Sequence, residues 1–258
     1  MFAPAVTDVD LKDCFFYHTM DLPGIGLVKG AWDLRGKFQE YTDHFDFSGK
    51  RVLDVGAGSG FLSFSAEKAG AREVVSFDMD DSSRQDFLPF ANKLAFRDRD
   101  AFSAEHNKWI AQWRNAYWLS HRLLAAKSKV FYGDIYSIPM EIGQFDVSIV
   151  GSVLEHLSDP IKAIASVSRV TSDTMIIVTC MLDTDAKIAE FLGDSSKPEN
   201  DFVFWSYSRA VYHHVLSMLN FRICSIKKHY FKAEWDGGRG HERYVISAKR
   251  QQPGPVIP

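Results

Sequence analysis

The chain has 258 residues, 46% of them hydrophobic, and a formal net charge of -3. This length and apolar fraction predict one α/β domain with an added segment rather than two independent domains. The slight acidity disfavours a general binder of polyanions. No run of about 18 apolar residues predicts a membrane span. Residues 1–10 lack the basic and apolar regions of a secretory signal, so we expect a cytoplasmic protein.

The cysteines and the local charge narrow these expectations. Cys14, Cys180 and Cys224 are odd in number and far apart, which favours neither a disulfide framework nor a clustered metal site. Basic residues concentrate in 82–129 and 222–258, within an otherwise acidic chain. These two segments are either solvated faces or the lining of a cleft that attracts an anionic substrate or a phosphate backbone.

Apolar runs alternate with helical segments in the order typical of a parallel sheet. The predicted strands are 51–55, 73–77, 130–132, 145–150, 174–181, 221–231 and 242–247, and the predicted helices are 61–69, 160–170 and 207–219. The last two strands, joined by the glycine-rich run 236–240, predict an antiparallel edge. We therefore expect a doubly wound, mostly parallel, Rossmann-like sheet of seven strands with an antiparallel last strand.

Two segments exceed what such a sheet needs. Residues 80–128 are too long for a bare crossover, and the recurrence of Trp109, Trp113 and Tyr117 along one helix face predicts a helical insertion. That aromatic stripe is either core packing or a lid over a ligand. Residues 1–49 contain turn formers and no long periodic helix, and we expect them to cover the site. Residues 251–258 predict a frayed tail.

The clearest chemical signal follows the first predicted strand, where Asp54 precedes a glycine-rich turn made of Gly56, Ala57, Gly58, Ser59 and Gly60. Glycines let the backbone turn sharply and approach a ligand, while the next helix directs free N–H groups toward it. A diphosphate-binding turn needs a third glycine where this chain has Phe61 or Ser63. The pattern favours a nucleoside whose tail carries a carboxylate and an ammonium group.

Acids at the ends of the next two strands extend this interpretation. Asp78 follows Gly58 by twenty residues, where a carboxylate can accept hydrogen bonds from both ribose hydroxyls. Met79 offers an apolar, polarizable side chain to an adenine face. Asp134 is placed to accept from the adenine amino group, and Ile135 to pack on the ring.

Together these motifs resemble those of class I S-adenosylmethionine-dependent methyltransferases over roughly residues 50–182, in a domain that we place at 50–250. The resemblance implies S-adenosylmethionine as the cofactor, and it implies that Gly151 or Ser152 lines the sulfonium. It also implies which residues bind the rest of the cofactor: Asp54 and Gly56 to Gly60 the methionine moiety, Asp78 the ribose, and Asp134 and Ile135 the adenine.

The run 153–160 is similar to that of small-molecule methyltransferases, some of which ligate a divalent cation through a Glu-x-x-Glu-His sequence. Here Ser152 replaces the first acid and leaves only Glu155 and His156, so we predict no metal. The chain also resembles a tRNA wobble-uridine carboxymethyl-transferring family. Glu155 stands where that family has a tyrosine, which disfavours a carboxylated cofactor.

The sequence thus predicts methyl transfer to an oxygen or nitrogen atom of a small molecule, with His156 as a candidate base and His18 as a second. In the structural alternative, His156 only orients its neighbours at a helix start, and His18 is a satisfied polar residue in a loop. The alternatives are a nucleic-acid methyltransferase that uses the two basic segments, a nicotinamide oxidoreductase, and a domain that binds the cofactor without catalysis. The sequence does not predict the oligomeric state.

Overall fold

The computed structural model describes residues 1–252, and its centre is a sheet of eight strands. The strands are β1 Met20–Leu22, β2 Gly26–Val28, β3 Trp32–Asp33, β4 Arg51–Val55, β5 Glu73–Asp78, β6 Lys129–Tyr132, β7 Phe145–Gly151, β8 Thr171–Thr179, β9 Met181–Leu182, β10 Ala189–Phe191, β11 Trp205–Ser208, β12 Phe221–Ala233 and β13 Arg239–Arg250. The helices are α1 Phe38–Tyr41, α2 Phe61–Lys68, α3 Leu94–Arg97, α4 Arg99–Leu123, α5 Pro160–Val170 and α6 Arg209–Met218.

The central sheet has the order β3-β12-β13-β8-β7-β4-β5-β6. Strands β4 to β8 are parallel, whereas β13 is antiparallel to both β8 and β12. The predicted seven-stranded sheet with an antiparallel last strand is confirmed. The eighth strand, β3, has only two residues and pairs with the end of β12 at the sheet edge, so its short sequence carried no strand signal.

Alternating apolar residues cover both faces of the sheet. Leu53 and Val55 of β4 belong to one buried cluster, while Val52 belongs to another on the opposite face. Successive side chains of a strand point to opposite faces. Both faces are buried by helices, which is why the parallel strands are continuous apolar runs.

Local signals set the ends of the crossover helices. The Asp159 side chain accepts a hydrogen bond from the Lys162 N–H at 3.0 Å, and Pro160 occupies the first turn of α5. Helix α6 ends before Asn220, whose φ of 61° lies in the left-handed region. Because β4 to β8 are parallel, their carboxyl ends lie along one edge of the sheet. An open α/β sheet binds its ligand at this edge.

The predicted helical insertion is only partly helical. Helix α4 has 25 residues, but residues 80–93 form a strap of turns and extended backbone that crosses the carboxyl ends of the strands. In this strap, Asp86 accepts hydrogen bonds from the Ser158 N–H at 2.7 Å and from the Tyr136 hydroxyl. The Leu88 N–H donates to the Asp201 carbonyl at 2.6 Å.

Two further segments surround the same edge. In the N-terminal segment, the His18 N–H donates to Ser59 Oγ at 2.9 Å, directly at the glycine turn. A three-stranded sheet of order β10-β11-β9, which the sequence did not predict, is bonded to the exit of β7 where the Phe204 N–H donates to the Glu155 carbonyl at 2.8 Å. Of the predicted tail, residues 253–258 lie outside the described residues.

Candidate functional site

The turn between β4 and α2 has the left-handed backbone that its glycines allow. Gly56, Gly58 and Gly60 have φ values of 76°, 55° and 88°. A Cβ added at Gly58 would lie 3.5 Å from the side chain of Tyr17, which approaches the turn from the N-terminal segment. Any larger residue would therefore be strained and would narrow the space between turn and segment.

Asp78 connects this turn to the end of β5. Its Oδ2 accepts a hydrogen bond from the Gly58 N–H at 2.7 Å, and its Oδ1 accepts from the Met79 N–H at 2.8 Å. Burial raises the pKa of Asp78 to about 6, against the lowering effect of these two backbone bonds. Because each carboxylate oxygen can accept two hydrogen bonds, one position on each oxygen remains for a ligand hydroxyl.

Asp54 lies deeper, with none of its surface exposed. Its Oδ2 accepts a hydrogen bond from Ser63 Oγ at 2.6 Å, whereas its Oδ1 has no partner among the described residues. Burial raises the pKa of Asp54 to about 7, and the nearby Asp78 contributes to the increase. An unpaired buried carboxylate oxygen is costly, and a cation placed beside it would relieve that cost.

The end of β6 lies next to Asp78, because the Gly133 N–H donates to the Asp78 carbonyl at 2.9 Å. Asp134 Oδ1 accepts from the Tyr136 N–H at 2.8 Å and so begins a short helical turn. Ile135 is half-buried against the core cluster beneath it. The predicted adenine-binding residues are thus adjacent in space to the predicted ribose acid.

A buried polar cluster lies at the exit of β7. Ser152 adopts a φ of 46°, and its Oγ donates to Glu155 Oε1 at 2.7 Å and accepts from Arg243 Nε at 3.0 Å. The Glu155 and Arg243 side chains are 4% and 18% exposed and lie 3.6 Å apart. Thr179 donates to Glu155 Oε2 at 3.4 Å. The cluster therefore balances its charges internally.

Aromatic side chains of the N-terminal segment enclose this cluster. The Arg243 guanidinium lies over the Trp32 ring, 5.0 Å from its centroid. Burial, assisted by the charge of Glu155, raises the pKa of Tyr17 to about 12, so its phenol stays protonated near neutral pH. The sequence interpretation missed Arg243 and Trp32 as site residues. For Arg243, the only sequence signal was the excess of basic residues after position 222.

The two candidate histidines have different surroundings. His156 is half-buried, and its Nδ1 lies 2.9 Å from the Phe202 carbonyl. Because a carbonyl only accepts, this contact places the proton of the neutral ring on Nδ1. His18 is 5% exposed, its Nδ1 has no partner among the described residues, and burial lowers its pKa to about 3. His18 is therefore uncharged across the physiological range.

A small cavity of about 20 Å³ adjoins the turn. Ala57, Gly58, Asp78 and Met79 line it, together with residues of α4. Gly151 lies elsewhere, packed against Tyr41, whose hydroxyl is 2.9 Å from where a Cβ on that glycine would stand. The structure thus joins Ala57 and Gly58 of the predicted methionine-binding turn with the predicted ribose acid in one wall, and it places the predicted sulfonium residues at the end of the neighbouring strand β7.

The described part of the chain, residues 1–252, holds no group of three or more His, Cys, Asp or Glu side chains arranged to bind a metal ion. Over the same residues, no helix combines the length and the apolar character that crossing a bilayer requires.

Comparisons with known proteins identify the family and the fold of the chain. A family model described as a methyltransferase domain matches residues 33–226. The magnesium protoporphyrin IX methyltransferase of Synechocystis PCC 6803 was solved with bound S-adenosylhomocysteine (SAH). It has a TM-score of 0.53 and 14% identity, and the match covers 84% of this chain and 82% of that one. A putative methyltransferase from Bacillus halodurans C-125 also reaches 0.53, with 13% identity and coverage of 84% and 100%.

A curated relative matches a shorter stretch. The ribosomal protein L11 methyltransferase of Vibrio vulnificus strain CMCP6 is 35% identical over 71 residues, which are 28% of this chain and 24% of that protein. The chain therefore matches about a quarter of the length of this relative. Such a partial match does not carry the relative's acceptor over to this chain.

Proposed function

The chain belongs to the methyltransferase domain family, and from this premise we propose that it is a class I enzyme that uses S-adenosylmethionine to methylate an oxygen or nitrogen atom of a small molecule. The observation that carries the proposal is the buried cluster of Ser152, Glu155 and Arg243 at the exit of β7. This cluster lies at the strand end where the sulfonium-lining residues are expected, and segments of the chain itself surround it.

The residues present suit the proposed cofactor. The unpaired Asp54 Oδ1 fits an ammonium group, and the two free acceptor positions of Asp78 fit the ribose hydroxyls. Asp134, Ile135 and Met79 would bind the adenine, and Gly56 to Gly60 would approach the methionine moiety. When bound, the cofactor supplies a methyl group that its sulfonium already activates, so the protein acts chiefly by alignment and exclusion of water.

Enclosure of the strand ends favours a small acceptor. Tyr17 lies over Gly58, the strap is bonded to Ser158 through Asp86, and Phe204 is bonded to the backbone of Glu155. These three segments approach the site from different sides. A folded protein or a nucleic-acid duplex would have to displace at least one of them to bring its reacting atom near Ser152.

The charges of the basic hairpin also favour this proposal over a phosphate-binding surface. Lys227 forms an ion pair with Asp43 at 2.6 Å, and Lys228 pairs with Glu242 at 3.2 Å. In the insertion, Arg84 pairs with Asp80. Cations that already have acidic partners contribute less to binding a phosphate backbone than free ones would. At these three positions we therefore interpret the basic segments as paired, solvated faces.

We assign proton removal from the acceptor to His156. Its Nδ1–H is directed to the Phe202 carbonyl, which leaves Nε2 as the free acceptor that a general base requires. His18 is a second candidate, although its lowered pKa makes it a weak base. Arg243 Nη2 bonds to no other described residue, so we assign it to a polar group of the acceptor.

The experiment is a transfer assay with S-adenosylmethionine labelled in its methyl group. The protein is incubated separately with a cellular metabolite extract below about 1 kDa, with total RNA and with total protein, and each fraction is analysed by mass spectrometry. Label in the metabolite fraction supports the proposal; label confined to RNA or protein would overturn it. Arg243→Met should then reduce kcat/KM for the acceptor while SAH affinity is kept, with Arg239→Met, an exposed arginine of the same strand, as control.

A further inference from the structure

The small cavity beside the glycine turn has one wall from the turn and one from the helical insertion. Gly58, Asp78 and Met79 form the first wall, and Trp113 and Arg114 of α4 contribute to the second. Its volume of about 20 Å³ is enough for one water-sized group. A cavity of this size beside an acid that has free acceptor positions suits a single ligand hydroxyl.

Two buried donors in the second wall have no partner among the described residues. These are Trp113 Nε1 and Arg114 Nε. Buried N–H groups are nearly always paired with protein, water or ligand, so two orphaned donors beside one cavity require an explanation. Tyr117 in the same wall does not share this property, because its hydroxyl already bonds to Ser76 and Ser128.

Arg114 is held in place by contacts that leave its Nε free. Its guanidinium lies over the Tyr132 ring, 4.7 Å from the centroid, and Nη1 donates to the Asp80 carbonyl at 3.4 Å. The positive charge also lowers the pKa of Asp78, although burial is the larger and opposite effect on that group. Arg114 and Asp78 therefore lie on either side of the cavity with complementary hydrogen-bonding capacity.

We propose that Trp113 and Arg114 bind one ribose hydroxyl of the cofactor, so that the insertion forms one side of the nucleoside site. A hydroxyl both donates and accepts, so it can donate to Asp78 while it accepts from an N–H of α4. This inference rests on the proposed placement of the ribose at Asp78. It assigns Trp113, one member of the aromatic stripe, to ligand binding in addition to packing.

The test compares ligands that differ by one hydroxyl. The affinities for SAH, its 2′-deoxy analogue and its 3′-deoxy analogue are measured by calorimetry on the wild-type protein, on Trp113→Phe and on Arg114→Lys. Phenylalanine keeps an aromatic ring without the N–H, and lysine keeps the charge without the guanidinium fork. Trp109→Phe and Arg97→Lys, at exposed positions of the same insertion, are the matched controls.

We expect each variant to weaken SAH binding about fivefold to tenfold, which lies within the range for one lost hydrogen bond. One of the two deoxy analogues lacks the contacted hydroxyl, and the affinity of each variant for that analogue should lie within twofold of the wild-type affinity. The control variants should bind all three ligands with the same affinity as wild type. If both variants bound SAH within twofold of the wild-type affinity, the cavity would hold only a water molecule, and this result would overturn the proposal. Equal weakening of SAH and both analogues would also overturn it.

The same data separate this inference from the proposed function. A wild-type protein that binds no SAH would reject the cofactor assignment and the inference together. A wild-type protein that binds SAH, with variants that do not discriminate the hydroxyls, would reject the inference alone. Thermal unfolding without ligand is measured for each variant, and if one fails to fold the other decides the outcome.

Discussion

The Gly58 N–H donates to the Asp78 carboxylate at 2.7 Å, and this bond joins the glycine turn after β4 to the end of β5. Two motifs that are twenty residues apart are thereby fixed to each other before any ligand binds. The Met79 N–H, which bonds to the other oxygen at 2.8 Å, restricts the rotation of the same side chain. The site is therefore preorganised around a single carboxylate.

Asp78→Ala should weaken cofactor binding. The ribose hydroxyls lose a charged acceptor worth ~1.5–3 kcal/mol, which corresponds to roughly 10- to 150-fold in affinity. Calorimetric titration with SAH measures the change. Asp80→Ala serves as the control, because that acid pairs with Arg84 at the surface two residues away. Unchanged affinity in Asp78→Ala would remove this residue from the binding site.

The affinity for SAH should rise between pH 5 and pH 8. Burial raises the pKa of Asp54 to about 7 and that of Asp78 to about 6, and the ionised forms are the ones that bind an ammonium group and accept from two hydroxyls. Titration calorimetry across this range measures the effect. Asp54→Asn should bind weakly and keep only the part of the pH dependence near pH 6 that Asp78 contributes; a flat wild-type profile would contradict the assignment of both acids.

The unfolding free energy of the protein without cofactor should have the opposite pH dependence. The pKa of Asp54 in the folded state, about 7, lies above its ordinary value of 3.8. The folded state therefore binds more protons, and the contribution of Asp54 is present at pH 4 and lost as the pH rises through 7. The unfolding free energy of the wild-type protein minus that of Asp54→Asn should therefore be smaller at pH 8 than at pH 4.5.

Urea unfolding at both pH values measures this difference. Asp100→Asn, an exposed acid on α4, provides the reference for the loss of a surface carboxylate. If the stability difference between wild type and Asp54→Asn were the same at both pH values, Asp54 would not be the group that binds the additional proton.

Strands and helices with local signals could be predicted from the sequence to the residue. Strand β4 and helix α5 have the predicted ends. For β4 an apolar run stops at a glycine, and for α5 an Asp-Pro pair supplies both the cap and the first turn. Asp78 was located for a similar reason, because a strand end followed by a fixed spacing from the glycine turn is encoded within one βαβ unit.

Contacts between distant segments could not be predicted in this way. Ser152 and Arg243 are 91 residues apart, and they meet only because β13 lies beside β8 in the sheet. The strap was misread as helix because its residues are fixed by bonds to Ser158 and Asp201 rather than by their own periodicity. Neither relationship has a local sequence pattern, since tertiary structure creates both.

The Glu155–Arg243 pair should be strongly coupled in stability. Removal of one partner leaves the other charge poorly solvated, and such losses cost about 3–5 kcal/mol in buried pairs. We expect Glu155→Ala or Arg243→Met to approach the lower end of that range, since Arg243 keeps 18% of its side chain exposed. The double variant should lose less than the sum of the two, which a urea double-mutant cycle measures.

The exposed pair Lys228–Glu242, on the same hairpin, is the control for this cycle. Its two side chains are 42% and 41% exposed, so its coupling should not exceed ~1 kcal/mol. A coupling of the buried pair as small as that of the exposed one would show that solvent reaches Glu155. The closed cluster on which the small-acceptor proposal rests would then not exist in solution.

His156→Ala should lower turnover about 10²- to 10⁴-fold with little change in SAH affinity, because the imidazole acts on the acceptor proton and not on the cofactor. Steady-state kinetics with the identified acceptor, together with SAH titration, measure the two effects separately. Added imidazole should restore part of the activity of His156→Ala, because free imidazole can act as the missing base. His213→Ala on α6 controls for the loss of a histidine elsewhere. Reduced SAH affinity with normal turnover would instead make His156 a structural residue, fixed to Phe202 for the sake of the fold.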